Sequence, residues 1–390
     1  MIQLPNELIA MVLEYFDPAT LSPLSLACSQ LHCIVIARLY STLNILFGEK
    51  GADNSSLKMI RTFYENPSRR QLLRHIQISS PMRQTWIWEP VFRPFCLALT
   101  GLFASLPQNG LKSLVWRLRS PTRPDILPHL PRHITKLQLE TTVIDHAIFF
   151  PTLRELHCIQ IRSIEDTKWV DWHVLQGNLR RLHLCLDPAA VISQPFKRQE
   201  WPAYPRASLQ FLTHLGLGYI NVSHWPFEEM SSLRSLSLEQ CIHVGTAFES
   251  ILRASEGQLL LRELSLTLTN EPVDLKSFLG RLSQHAQLYK LRVWTAGPNN
   301  EYILPYVLRF KHSLRELELE SRSIAIDARS VCLYSIQDLA EITSHCLLLR
   351  TLSIPLNINK ENRKLLVSLV IFEPSFKLII RSALSRQSKV

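Results

Sequence analysis

Apolar residues recur along most of this chain in a six-residue phrase, L-x-x-L-x-L, with polar residues between them. Copies open at Leu73, Leu111, Ile134, Leu153, Leu179, Leu212, Leu233, Leu261, Leu288, Leu314 and Leu349, eleven in all. Successive starts lie from 19 residues (134 to 153) to 38 residues (73 to 111) apart. The alternation inside the phrase predicts a short strand, leucines on one face and polar side chains on the other. Between phrases, apolar residues at three- and four-residue spacing predict helices over Ala247–Glu256, Leu275–His285, Tyr302–His312 and Ile336–Cys346. One such repeat leaves its apolar side uncovered, so only stacking on its neighbours yields a core. The expected fold class is therefore α/β, a curved solenoid with parallel strands on the concave side and helices on the convex side.

The first 45 residues follow another pattern, that of three short helices. Leu4-Pro5-Asn6-Glu7-Leu8 opens the first, with proline in a turn where its missing N–H costs nothing and Glu7 near the positive helix end. Leu8, Val12 and Phe16 repeat every four residues along one face. Asp17-Pro18 ends that helix and starts the second, which carries Leu21 and Leu24; the third carries Cys28, Leu31, Val35 and Leu39. Helices this short bury little by themselves, so the apolar stripe must pack on the rest of the chain, on a partner, or on both. A polar turn over 48–54 follows, then a helix predicted from Leu57 with Ser55 or Ser56 as cap. The expected organisation is a helical module over 1–45, a connecting helix over 46–72 and the repeats over 73–390. A proline- and charge-rich insertion is expected over 187–208, and an apolar helix over Val91–Leu106 beside Trp86 and Trp88.

Leu4-Pro5-x-Glu7-Leu8, Phe16-Asp17-Pro18, Leu21, Leu24 and Ala27-Cys28-Ser29-Gln30-Leu31 together resemble the F-box. Ala37 to Leu43 resembles the segment behind it in many fungal members. Two positions depart from the commoner pattern: Ser29 stands where a basic residue is usual, and Leu31 where an aromatic is usual. The phrase Leu233-x-x-Leu236-x-Leu238-x-x-Cys241 resembles the cysteine-containing leucine-rich repeats found behind many F-boxes. The resemblance implies a non-catalytic substrate receptor of a Skp-cullin-F-box ubiquitin ligase. Its Skp-type adaptor would be met by Leu4, Pro5, Leu8, Val12, Phe16, Leu21, Leu24, Cys28 and Leu31, and its protein substrate by the repeats. The alternative is a leucine-rich-repeat scaffold outside any ligase, with the helices as a cap.

Leucine makes up roughly one residue in six, and only 11 glycines occur, which argues against glycine-rich phosphate loops. The formal net charge of +10 is scattered without an aromatic-interleaved stripe, so nucleic acid is not the expected partner. Eight cysteines form no CxxC pair and several stand where an apolar residue belongs, as in a reducing cytosolic or nuclear setting. No basic-then-apolar leader opens the chain. The apolar run Leu365–Ile380 is broken by Glu373 and Pro374, so no membrane span is expected. Catalytic phrases such as G-x-S-x-G, H-E-x-x-H and the P-loop are missing, and no enzyme activity, cofactor or metal is expected. His157, His183, Cys185 and His214 come from three successive repeats but lack the spacing of a compact zinc motif. The strand positions facing away from the leucines give the candidate substrate residues: His183, His214, Arg292, Trp294, Glu316 and Glu318. Lys290 and Arg292 stand one repeat before Glu316, Glu318 and Glu320, which predicts cross-strand ion pairs.

Overall fold

The computed structural model describes residues 5–48, 51–52, 54–80, 89–118, 126–140, 150–161, 168–188, 209–256, 260–268, 272–296, 301–322, 333–356 and 377–382. The chain divides into two compact units, Met1–His173 and Val174–Val390. Leu4, Trp86, Trp88, Cys332 and the 189–208 part of the expected insertion lie outside the described residues.

The first unit begins with α1 (Asn6–Leu13), α2 (Pro18–Leu24) and α3 (Ser29–Leu39). Leu13, Leu21 and Val35 form its small core, with Ile9, Leu24, Ile34 and Leu39 packed around them. Polar contacts fix the helix ends. Asp17 caps α2 by accepting the Thr20 N–H at 2.7 Å, and the Arg38 guanidinium donates to the Glu14 carbonyl at 2.9 Å. Only two residues separate α3 from the first strand, β1 (Thr42–Gly48), which turns back into the short antiparallel β2 (Gly51–Ala52). After α4 (Asn54–Glu65) and α5 (Pro67–Arg70), β1 pairs in parallel with β3 (His75–Ser79). α6 (Glu89–Ser105) covers the expected apolar helix, and β4 (Ser113–Arg117), β5 (Lys136–Glu140) and β6 (Glu155–Ile161) extend the parallel sheet in chain order. The boundary between the units falls within α7 (Lys168–Leu175).

The second unit stacks eight parallel strands in chain order: β7 (Arg181–Leu186), β8 (His214–Gly218), β9 (Ser235–Glu239), β10 (Glu263–Leu268), β11 (Lys290–Ala296), β12 (Glu316–Arg322), β13 (Thr351–Leu356) and β14 (Lys377–Ser382). The described helices between them are α8 (Val244–Glu256), α9 (Leu275–Leu282), α10 (Leu304–Val307) and α11 (Ile336–His345). Asp274 caps α9 and a reciprocal Ser335–Asp338 capping box starts α11. Phe248 and Phe278 stack at 3.7 Å between ring centroids and lock α8 to α9.

All eleven phrases form strands, each starting two residues after the phrase opens, so the leucine stack holds register although the spacing varies. Leu236, Leu264, Leu291 and Leu317 align across consecutive strands and are buried. Parallel strands and stacked leucines, with helices between successive strands, make this a leucine-rich-repeat solenoid fold. Three features differ from expectation. Among the described residues, the parallel strands of the first unit start at β1, inside residues assigned to the helical module and its connector, and those of the second unit run as far as β14. Both strands escaped the phrase because Tyr40 and Ser375 stand where its first leucine belongs. Helix α4 starts at Asn54, so Ser56 lies inside it; its buried hydroxyl accepts the Leu46 N–H at 3.3 Å and ties helix to strand.

Five cysteines (96, 158, 185, 241 and 346) are buried free thiols, and burial pushes Cys241 up to about 12 and Cys346 up to about 11. Neither is a thiolate at neutral pH, so they act as small apolar side chains. His173 is also buried, 5.9 Å from the Phe150 ring, and burial lowers its pKa from 6.5 to about 4. The folded state disfavours the protonated ring. The stability it contributes is present above the unfolded value and is lost as pH falls from about 6.5 to about 4. Replacing His173 with Phe is expected to remove a loss of up to about 3 kcal/mol across that window, read by denaturant melts at pH 7 and pH 4.

Candidate functional site

On the helical module, one face of α1 is left uncovered. Leu8 and Val12 on it are 43% and 57% exposed, with Met11 exposed beside them; Tyr15 and Phe16 follow the end of the helix instead of continuing its face as expected, and are also exposed, Phe16 at 40%. Pro5 stands exposed at the N-cap, its carbonyl accepting the Leu8 and Ile9 N–H groups. Leu24 and Leu31 are half-buried. Cys28 is exposed and caps α3, its sulfur accepting the Leu31 N–H at 3.4 Å. Leu21 differs from expectation: it is 2% exposed, held among Leu13 and Val35. Its apolar side chain is spent on the small core of the module, the environment that removes most of its surface from water.

On the second unit, the sheet face opposite the leucine layer is polar. Lys290, Arg292 and Trp294 on β11 align with Glu316, Glu318 and Glu320 on β12. Lys290 Nζ lies 2.7 Å from Glu316 Oε2 and Arg292 Nε lies 2.6 Å from Glu318 Oε2. Glu318 aligns in turn with Ser353 on β13. Lys290, Arg292, Glu316, Glu318, Thr351 and Ser353 line a depression of about 250 Å³. Ser353 is 3% exposed, and its hydroxyl has no hydrogen-bond partner among the described residues. A buried hydroxyl left unsatisfied costs free energy until a ligand or water meets it.

His183 and His214 are not brought face to face. His183 aligns with Gly216, and a side-chain carbon added to Gly216 would stand 2.5 Å from its Nδ1, so the missing side chain makes room for the ring. Burial holds that imidazole below its ordinary pKa. His214 aligns with Arg181 instead and hydrogen-bonds the Thr213 hydroxyl at 2.9 Å. Among the described residues, no group of three or more His, Cys, Asp or Glu side chains is placed to hold a metal.

A second row is formed by the residue after each opening leucine, which points neither into the core nor onto the polar face. Backbone N–H to O=C bonds run along it from Thr213 to Arg180, Arg234 to Thr213, Arg262 to Arg234, Tyr289 to Arg262, Arg315 to Tyr289 and Arg350 to Arg315. These residues therefore form one column along the strand-entry edge, five of the seven arginine. Attention to alternate strand positions passes over them; the signal is the repeated Leu-Arg pair that opens seven of the eleven phrases, at 73, 153, 179, 233, 261, 314 and 349.

No described helix is long and apolar enough to cross a membrane. Neither a family model nor a curated protein matches the chain. Among solved structures, it is similar to one described as a crystal structure of a TLR13–ssRNA13 complex, with 16% identity and a TM-score of 0.33 over 80% of this chain. The aligned part is 44% of that chain, so this protein spans less than half the length of the structure it matches.

Proposed function

We propose that this chain is a non-catalytic substrate receptor of a Skp-cullin-F-box ubiquitin ligase, acting in the cytoplasm or nucleus. The helical module would bind a Skp-type adaptor and the solenoid a protein substrate. The observation that carries the reading is the uncovered α1 face with Leu8 and Val12, and Phe16 exposed just beyond the helix, beside a core that the module completes without them. Exposed apolar side chains grouped together mark an interaction site, and this group falls on residues through which the F-box resemblance implies adaptor binding. Leu4, Pro5, Leu24, Cys28 and Leu31 complete the proposed contact. Co-purification of the tagged chain with recombinant Skp-type adaptor tests it; a chain that fails to retain the adaptor overturns it.

A second reading, a leucine-rich-repeat scaffold whose helices are only a cap, draws support from how closely the module joins the first strands. Tyr40, which ends α3, packs edge-on against Phe63 at 5.8 Å, and Arg69 covers its ring at 4.6 Å. The same co-purification separates the two readings.

For the substrate, we place the contact on β11–β13, around Arg292, Trp294, Glu316 and Glu318; His183 and His214, on β7 and β8, stand apart from it beyond β9 and β10 and would meet a substrate that reaches further along the sheet. Arg and Trp are the side chains that most often anchor a protein interface. The Arg292–Glu318 pair is partly exposed and contributes only about 0–1 kcal/mol to folding. Replacing Arg292 and Trp294 together with Ala is expected to abolish capture of the substrate identified by pull-down. The melting temperature should move by less than about 4 °C. A larger fall, with capture declining only in proportion, would make the pair structural.

A further inference from the structure

Positive charge that looks scattered along the chain is gathered by the repeat on one edge of the second unit. On the polar sheet face, Lys290 and Arg292 are each held by a glutamate. In the column at the strand-entry edge, Arg234, Arg262, Arg315 and Arg350 are exposed and have no salt bridge or side-chain hydrogen bond among the described residues. Arg180, at the head of the column, lies over the exposed Phe211 ring at 4.9 Å and donates to the Phe211 carbonyl at 3.1 Å, which leaves its charge unneutralised. No carboxylate belongs to the column. Arg262, Arg315 and Arg350 line a groove of about 770 Å³ with Tyr289 and two exposed imidazoles, His285 and His312. Of its described lining residues only Glu316 is acidic, and Lys290 already holds it.

The length of the column and its charge narrow the ligand. Consecutive strands lie about 4.8 Å apart, so the column from Arg180 to Arg350 extends over roughly 29 Å. A polymer that meets a cation at most steps along that length must carry charge on most of its own units. A peptide does so only through an unbroken acidic run, whereas a nucleic-acid strand carries one phosphate per nucleotide whatever its sequence. At about 3.4 Å per stacked nucleotide, the column matches a strand of about eight. It is one side chain wide, with Tyr289 inside it and Phe211, His285 and His312 beside it. Rings and guanidinium planes along a cationic track take unpaired bases by stacking, while a duplex keeps its bases inside. We infer that the strand-entry edge of the second unit binds single-stranded nucleic acid, with phosphates along the arginine column and bases against the flanking rings. The inference does not rest on the roles proposed above for the helical module or the sheet face.

The test uses the full chain with fluorescein-labelled oligouridylate and oligo-deoxythymidylate of about 12 nucleotides, a length within the range of single-strand sites. Binding is read by fluorescence anisotropy. Both strands should bind, since phosphates and stacking bases are common to the two. With four free arginines releasing counterions, affinity should fall roughly 50-fold between about 50 and 200 mM salt. Arg315→Gln with Arg350→Gln removes two of the four and should reduce that fall to roughly sevenfold. If this double variant melts early, Arg234→Gln with Arg262→Gln serves in its place. Arg253→Gln with Arg281→Gln makes the same change in net charge on α8 and α9, where each arginine is paired with a glutamate, and should leave the salt dependence as it was. Failure of both strands to bind at about 50 mM salt overturns the inference. So does a salt dependence that neither column variant alters, or a labelled oligoglutamate or RNA duplex of equal charge that binds as tightly as the single strands.

Discussion

Changing Leu8 and Val12 together to Asp is expected to abolish capture of a Skp-type adaptor while leaving the melting curve of the isolated chain nearly where it was. Both side chains are about half exposed and lie outside the Leu13–Leu21–Val35 core, so folding loses little apolar burial with them. The helix itself loses about 0.5 kcal/mol per site, because aspartate is a poorer helix former than leucine. In a complex the same positions would be covered, and burying two carboxylates without partners costs several kcal/mol. A loss of about 3 kcal/mol weakens binding more than 100-fold. Leu21→Asp makes the control: it charges the 2%-exposed core position, so it should unfold the module and lose the adaptor for a different reason. Adaptor captured undiminished by the Leu8/Val12 variant would remove α1 from the interface.

Deleting residues 261–390 is expected to leave an aggregating protein. The cut removes β10 to β14 and uncovers β9, whose Leu236 and Leu238 are aligned with Leu264 and Leu266. It also strips Phe278 from the face of Phe248. Exposing each such side chain costs about 1.5–3 kcal/mol, so a handful equals the whole 5–15 kcal/mol that typically holds a domain folded. Size-exclusion chromatography and thermal melts decide the outcome. A monomer with a cooperative transition would show that β7–β9 need no stack beyond them.

The repeats were legible because leucine alternation is a direct print of strand geometry: from Leu73 to Leu349 every phrase became a strand at the same offset. β1 and β14 were not, since Tyr40 and Ser375 stand where the phrase has its first leucine, so the six-residue pattern does not mark them. Leu21 was misplaced because a four-residue spacing tells which residues share a face and not which face is covered. The Lys290–Glu316 and Arg292–Glu318 pairs could be read from charge one repeat apart. Ser353 could not, for the burial of a small hydroxyl depends on its strand neighbours. The arginine column does not show in the two-residue alternation of a strand, because its period is the repeat.

The neighbour-to-neighbour pairing of the strands also bears on how the chain folds. Each strand meets only the next, so the loop to be closed is never longer than one repeat. In the second unit, β8 and β9 start 21 residues apart (214 to 235) and β12 and β13 start 35 apart (316 to 351). Closing the longer loop costs about 0.5 kcal/mol more in chain entropy. The shorter one is further secured by a bridge from Asn221 to Ile242 and by the Cys241 thiol donating to the Leu217 carbonyl at 3.3 Å. The β8–β9 repeat is thus the cheapest place for the unit to nucleate, and the stack can grow outward from it one strand at a time.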